Sequence, residues 1–462
     1  MPLVDPADPR PVHFVGIAGA GMSALAELLA RRGVAVTGCD ANASGVDDLA
    51  RLGIEVVHGH DPAHVAGARA LVVTSAMPKD HPELERARAL GVPVIRRAEA
   101  LGEAARGEEL VAIAGTHGKS TTTVLTTEAL DAAGLAPTAL VGGRVAAWGG
   151  NLHPGGDAIF VVEADEYDRS FLALSPTVAV LTNLEADHLD IYRDLDDIRE
   201  SFARFARGAR FIVLCADDPE ANALPTPPSA EVIRYGIESP DARLLAREPT
   251  VVGGGTRFVV EYDGERLGEV TLAVPGMHNV RNALAAIGAG LALGATVPAM
   301  AAGLARFGGV ERRFQRLGEI GGVAVVDDYA HHPTEIVATL AAARTTFPGR
   351  RLLAAFQPHL FSRTRDFARE FGAALATADV LFLTEIYPAR EQPMEGVTTA
   401  LVCEAVDRAG GRVHWRGVRA ALADAIRAEA REGDVVLLMG AGDITRTGGE
   451  LLARLAPAER RG

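Results

Sequence analysis

Lysine is almost missing from this chain. Of its 46 basic residues, only Lys79 and Lys119 are lysines; the rest are arginine. Where lysine survives, the position calls for a compact point charge that a planar guanidinium fork does not supply. Aromatic residues are scarce, 5% of 462, which excludes a long stacking platform for single-stranded nucleic acid. Positive charge is not in excess either. At a net −14 the chain does not read as one that wraps DNA or RNA, and no nucleic-acid partner is expected. An anionic ligand stays open, because a local nest of backbone N–H groups outweighs a global charge. Cysteine occurs only at Cys39, Cys215 and Cys403. That separation gives no disulfide framework and no metal-ligand spacing, and it points to a reducing compartment, the cytoplasm. A long apolar run is lacking as well. The stretch 14–30 contains Glu27 and follows no basic segment beyond Arg10, so neither a signal peptide nor a membrane span is expected.

What is present is alternation. At about 150 residues per domain, the length suggests three domains. Short β-like apolar runs alternate with helical patterns almost throughout, which predicts α/β architecture with parallel sheets. Strands are expected near 12–17, 34–39, 70–74 and 92–95, then 110–114, 158–162 and 178–181, then 323–326, 351–356, 380–384 and 434–439. The polar stretch 103–109 reads as a linker, and a second break falls near 308–313. The expected domains are therefore 1–106, 107–308 and 309–462. Residues 219–268, richer in Pro and Gly, read as a small β-rich excursion.

Residues 16–24, GIAGAGMSA, lie between a strand and a helix. Gly19, Gly21 and Ala24 fit G-x-G-x-x-A, with Asp40 ending the next strand. This is a diphosphate-binding turn with its ribose-reading acid, or else a plain tight strand–helix turn. Residues 113–122, IAGTHGKSTT, follow the strand 110–114. Gly115, Gly118, Lys119 and Ser120 form a phosphate loop: backbone N–H groups cradle phosphate at a helix N-terminus, the lysine neutralises it, and the hydroxyl ligates Mg²⁺. Ile113 stands where the usual pattern begins with Gly, so the loop is a shortened variant.

EADEYD (163–168) and NLEADHLD (183–190) each close an apolar strand. Ligands of open α/β sheets sit at the carboxyl ends of strands. Gly115, Glu163 and His188 would thus gather a carboxylate and an imidazole beside the phosphates, where Mg²⁺ needs them. Asp165, Asp168, Glu185 and Asp187 read more as solvated turn acids. In PGMHNVRNALAA (275–286), Asn279 and Asn282 lie one helical turn apart, placed to pair with an adenine edge or to cap the helix start. Arg313 in ERRF reaches a γ-phosphate or is a plain exposed arginine. His331 and His332 in DDYAHHPTE sit on a strand-to-helix turn, where two adjacent histidines are rarely core packing. FQPHLFSRTRD (356–366) offers Gln357, His359, Arg363 and Arg365, and with them a bidentate arginine for a small carboxylate. GAGDI (440–444) is a further Gly turn closing a strand.

In this order, the motifs resemble the Mur ligases of peptidoglycan synthesis over essentially the whole chain. HFVGIAGAGMSALAE, AGTHGKSTTT, EADEYDRSF, DDYAHHPTE and FQPHLFSRTRDF are similar to the members that add alanine. The resemblance implies Rossmann-like first and third domains around a central P-loop ATPase domain with a parallel sheet. It implies that ATP phosphorylates the lactyl carboxylate of UDP-N-acetylmuramate and that L-alanine displaces the phosphate through a tetrahedral intermediate. Gly19, Ala20, Gly21, Met22, Asp40 and Ser75 would then hold the UDP substrate, and Gly115, Thr116, His117, Gly118, Lys119, Ser120 and Thr121 the ATP phosphates. Ser120 or Thr121 with Glu163 would hold one Mg²⁺, and His188 a second. Asn279 and Asn282 would take adenine, Asp327 the ribose and Arg313 the γ-phosphate. His331, His332 and Arg363 would face alanine. Leu360 and Phe361 depart from the Arg-Tyr pair that follows the His359 position in many members of the family. Tyr167 also fits the members that attach a recovered tripeptide to UDP-N-acetylmuramate, the alternative reading; GAGMSALAE and Tyr329 lean toward alanine. A carbamylated lysine, which the family resemblance implies for later-acting members, has no candidate in the lysine-free stretch after His188. A nicotinamide-dependent dehydrogenase would use the first Gly turn but leave Lys119, Glu163 and His188 unexplained. A non-catalytic nucleotide-binding regulator would leave the His pair and Arg363 unexplained.

Overall fold

The computed structural model describes all residues except 1–2, 43–46, 75–76, 107–108, 190, 390 and 457–462. The candidate Ser75 lies outside the described residues. The fold is α/β in three domains, each built on one sheet. Two compact units divide it: Met1–Ala273 with Asn279–Gly308, and Val274–His278 with Gly309–Gly462.

The first sheet of unit 1 holds β1 (Val12–Val15), β2 (Val36–Asp40), β3 (Glu55–His58), β4 (Ala70–Val73) and β5 (Val94–Arg96). Its order is β3-β2-β1-β4-β5, all parallel. The second sheet holds β6 (Glu109–Ala114), β7 (Thr138–Val145), β8 (Gly150–His153), β9 (Ile159–Glu163), β10 (Val178–Leu181), β11 (Phe211–Cys215), β12 (Glu231–Gly236), β13 (Leu244–Val252), β14 (Gly255–Tyr262) and β15 (Glu265–Leu272). Its order is β15-β14-β13-β12-β11-β10-β6-β9-β7-β8. The stretch 219–268 is thus no separate excursion. β12 joins β11 in parallel, and the β13–β15 meander carries the same sheet outward as antiparallel strands. Its alternating burial, one face packed and one wet, is what an antiparallel extension needs, and hid it from a reading keyed to continuous apolar runs.

Unit 2 carries β16 (Gln315–Ile320), β17 (Val323–Asp328), β18 (Leu352–Phe356), β19 (Val380–Thr384), β20 (Trp415–Gly417) and β21 (Val435–Met439), in the order β16-β17-β21-β18-β19-β20. The central strands β1, β4, β10, β17, β18 and β21 are buried along their whole length. Helices cover both faces of a parallel sheet, which is why these strands read as unbroken Val/Leu/Ile/Ala runs. In unit 1 the apolar core is continuous from the first sheet into the second, and helix Ala20–Arg31 packs against both β7 and β8. Among the described residues, no helix is long and apolar enough to cross a membrane.

Candidate active site

The phosphate loop follows β6, which lies between β10 and β9, a topological switch point of the second sheet. Two glycines shape it. Gly115 has φ +143°, and a Cβ there would run into Thr182 Oγ1. Gly118 has φ +81°, and a Cβ would lie 2.6 Å from Asn282 Oδ1. The helix Lys119–Ala132 then begins directly. It is rich in threonine, a poor helix former. Thr123, Thr126 and Thr127 each donate to the carbonyl four residues back, so their buried hydroxyls are satisfied inside the helix.

The loop is clamped from β10. Asn183 O accepts from Thr116 N–H at 3.0 Å and Asn183 Oδ1 from His117 N–H at 2.8 Å. Thr182 Oγ1 donates to His117 O at 2.6 Å, and Thr116 Oγ1 accepts from Glu185 N–H at 2.9 Å. Thr116 and His117 therefore shape the loop with their own N–H groups. The donors presented to an anion are those of 118–121, which have no acceptor within the helix.

Lys119 Nζ donates to Gly115 O at 2.6 Å, to Thr116 O at 3.2 Å and to Glu166 Oε1 at 2.9 Å, and forms an ion pair with Glu166, whose Oε2 is 2.8 Å away. Burial pulls the ammonium toward neutrality, but Glu166, Asp165 and Glu163 outweigh it and hold its pKa above the ordinary value. Burial pushes Glu166 up to about 7, against the pull of Lys119. Glu163, at the end of β9, accepts from Ser120 Oγ at 3.0 Å and from Gly142 N–H at 2.8 Å. An oxygen-only set of hydroxyl and carboxylate suits a hard cation such as Mg²⁺. Thr121, the other hydroxyl candidate, is buried beside it in the first turn. His188, with φ +53°, places Nε2 3.8 Å from Glu166 Oε1 and its ring edge-on to Tyr167 at 5.1 Å. The structure thus brings Lys119, Ser120 and Glu163 together directly and joins His188 to them through Glu166.

The first-domain turn follows β1, flanked by β2 and β4 in the same switch arrangement. Helix Ala20–Arg31 starts after Gly19, with no side chain capping it; Met22 points into the core. Asp40 accepts from Ala18 N–H at 3.0 Å and from Asn42 N–H at 2.9 Å, so its carboxylate braces the turn. Arg97 lies over Gly21, where a Cβ would come within 2.8 Å of its guanidinium. Gly21, Arg97, Gly142, Glu163 and Asp165 line one small cavity of about 60 Å³. The Gly turn and the Glu163 end of the phosphate site therefore open onto the same space. Asn282 Nδ2 donates to Asn279 Oδ1 at 3.3 Å, and both amides are buried, with Asn282 against Gly118.

In unit 2, β17, β21 and β18 are neighbours, so DDYAHHPTE, GAGDI and FQPHLF emerge side by side at their carboxyl ends. Glu335 accepts from His331 N–H at 2.9 Å and His332 N–H at 3.2 Å, which fixes the start of helix Pro333–Thr346. His331 Nδ1 lies 2.9 Å from Tyr329 O. His332 is 3% exposed, and its ring lies against Phe367. Arg313 approaches Glu335 at 3.4 Å and stacks on Tyr329. Asp327 is 1% exposed and accepts from Thr445 Oγ1 at 2.6 Å, so as placed it serves the β21 turn. Asp328 accepts from Phe314 and Ala330 N–H groups, both at 2.7 Å, and burial pushes it up to about 6. Arg363 is buried in the short helix Phe361–Asp366. Gln357 spends its amide on Asp443 and Ile444 N–H, which makes it structural, and Arg365 pairs with its neighbour Asp366 at the surface.

Reading the sequence passed over Glu166, Asn183 and Arg97. Four acids crowd residues 163–168, and nothing local says which turns inward. Glu166 is the one buried against Lys119, at the start of the 3₁₀ turn Tyr167–Ala173. The lysine scarcity that singles out Lys119 was the one signal that a buried counter-charge must exist.

Three family models match the chain: "Mur ligase family, catalytic domain" at residues 11–109, "Mur ligase middle domain" at 113–290 and "Mur ligase, glutamate ligase domain" at 312–442. Proteins named UDP-N-acetylmuramate–L-alanine ligase from Salinibacter ruber and Rubrobacter xylanophilus are 45% and 46% identical. They cover 95% and 96% of this chain and 93% and 100% of their own length. The crystal structure of the UDP-N-acetylmuramate-alanine ligase of Thermotoga maritima matches with a TM-score of 0.82 at 29% identity, over 96% of this chain and 98% of that one. A murein peptide ligase from Psychrobacter arcticus matches with 0.71 at 26%, over the same shares. Matched along nearly its whole length by sequence, domain order and fold, the chain belongs to the Mur ligase family.

Proposed function

We propose that this chain is an ATP-dependent ligase that joins L-alanine to the carboxylate of UDP-N-acetylmuramate, in the building of peptidoglycan precursors. The observation that carries this reading is the pair of relatives bearing that name at 45–46% identity over 95–96% of the chain. Labour is divided by domain: residues 1–106 take the UDP substrate, 107–308 ATP and 309–462 the amino acid. The cytoplasmic setting expected from the cysteines belongs to the same proposal.

The chemistry brings two anions together, a triphosphate and a carboxylate, so the site needs positive charge at their meeting point more than a strong base. Lys119 and the helix-start N–H groups of 118–121 hold the phosphates. Arg97, beside Gly21 and Glu163, meets the UDP substrate where its carboxylate must approach. Mg²⁺ held by Ser120, Thr121 and Glu163, with a second beside His188, would neutralise charge between phosphate and carboxylate. Asn279 and Asn282 contact adenine, and Arg313 the γ-phosphate. His331, His332 and Arg363 orient the amino acid.

Phosphate release from ATP across a matrix of UDP-sugars and amino acids or peptides tests this. Turnover should require both UDP-N-acetylmuramate and alanine. Preference for a tripeptide over alanine would install the murein peptide ligase reading instead.

A further inference from the structure

The first domain carries a second cluster of ligating side chains, on the sheet face opposite the Gly turn. β1 and β2 pair with Val15 beside Cys39 and His13 beside Thr37, so His13 and Cys39 share a face. That face packs against the 3₁₀ turn Pro62–Val65, which brings His64, and against the first turn of helix Pro82–Leu90, which brings Glu83. One ligating atom from each of His13, Cys39, His64 and Glu83 lies within 4.8 Å of all the others. Glu83 Oε1 is 2.9 Å from His64 Nδ1 and 3.2 Å from Cys39 Sγ. These separations are already near the edges of a tetrahedron built on zinc-type bond lengths, about 3.3–3.6 Å.

We propose that this cluster is a binding site for one divalent transition metal of the zinc class, held by His13, Cys39, His64 and Glu83, separate from the phosphate site. A further observation, independent of the clustering, points to a ligand. Glu83 and Cys39 are 0% exposed and His13 only 2%. Yet His13 Nε2 has no hydrogen-bond partner. His13 Nδ1 is engaged at 2.9 Å by Thr37 Oγ1, the outer partner that orients a metal-binding imidazole and leaves Nε2 for the metal. His60 and His81 stand on the far oxygen of Glu83, at 3.3 and 3.7 Å, and brace it from behind. A buried carboxylate without a full counter-charge is costly. One dication with one thiolate and one carboxylate sums to zero, which suits the interior. On binding, the Cys39 S–H proton passes to solvent and the thiolate takes its place on the metal. A mixed sulfur, nitrogen and oxygen set favours Zn²⁺ over Mg²⁺.

The test uses the full-length protein, stripped with chelator and kept in saturating Mg²⁺, then titrated with Co²⁺ and with Zn²⁺. One equivalent of Co²⁺ should raise a thiolate-to-cobalt charge-transfer band that Zn²⁺ abolishes, and Zn²⁺ should raise the melting temperature. Cys39→Ser should remove the band, while Cys215→Ser keeps it. His64→Asn, in a partly exposed turn and mild for the fold, should weaken Zn²⁺ binding by about tenfold or more. Absence of the band in the unsubstituted protein, its survival in Cys39→Ser, or unchanged Zn²⁺ affinity in His64→Asn would overturn the proposal. The cluster would then be a hydrogen-bonded network around Glu83.

Discussion

Replacing Lys119 with methionine should destabilise unit 1 by about 3–5 kcal/mol at about pH 9, where Glu166 is ionised, the range for removing one partner of a buried ion pair. Methionine keeps the apolar stem but leaves Glu166, whose side chain is 5% exposed, without the ammonium 2.8 Å away. Burial already raises this carboxyl from 4.5 to about 7. A carboxyl group whose pKa rises on folding favours the fold most below its unfolded value, and that advantage shrinks as pH climbs through the folded value. The unsubstituted protein therefore stops losing stability from this group above about pH 7. Without Lys119, the folded-state pKa moves higher still and the loss continues. The gap between the two proteins should be constant below pH 7 and widen above it by about 1.4 kcal/mol per pH unit. Trp148 reports on this region, since its indole N–H donates to Glu128 on the same helix as Lys119. Urea unfolding followed by Trp148 fluorescence in a Trp415→Phe background, from pH 6 to 9, measures the gap. Lys119→Met/Glu166→Gln should recover at least half of the loss. A loss below about 1 kcal/mol, a gap that narrows above pH 7, or a double variant no better than the single one would refute the argument.

Gly115→Ala should abolish ATP binding, because the new Cβ meets Thr182 Oγ1 at a φ of +143°; near-normal nucleotide affinity by calorimetry would contradict it. His188→Ala should lower kcat by about 100-fold while ATP affinity changes little. A collapse in affinity at unchanged kcat would remove His188 from the reacting site. Arg363→Ala should raise KM for alanine by about 10- to 100-fold, the worth of a charge-assisted hydrogen bond. Equal effects on all three substrates would point to a folding defect instead. Activity should be indifferent to bicarbonate depletion, because Lys119 is held by Glu166 and Lys79 lies exposed in the first domain. A bicarbonate-dependent rate would overturn that reading.

The sequence by itself determined the fold class, the order of the domains and the positions of the Gly turns. These are local properties: a strand buried on both faces writes a continuous apolar run, and a backbone bend near an anion needs glycine within a few residues of the strand end. It also singled out Lys119, because one lysine among arginines marks a site that accepts only a compact charge. The tertiary structure alone decided which acid the lysine meets, since four acids crowd residues 163–168 and only packing against the phosphate loop buries Glu166 on Lys119. It alone showed that Asn183 takes up the loop's own N–H groups and that Arg97 lies over Gly21. It also showed that Asp327 and Gln357 point into turns. The spacing of the cysteines spoke against a metal site, yet folding sets Cys39 beside His13, His64 and Glu83. Those four come from two strands, a 3₁₀ turn and a helix, and contacts between distant segments leave no period or spacing in the chain that makes them.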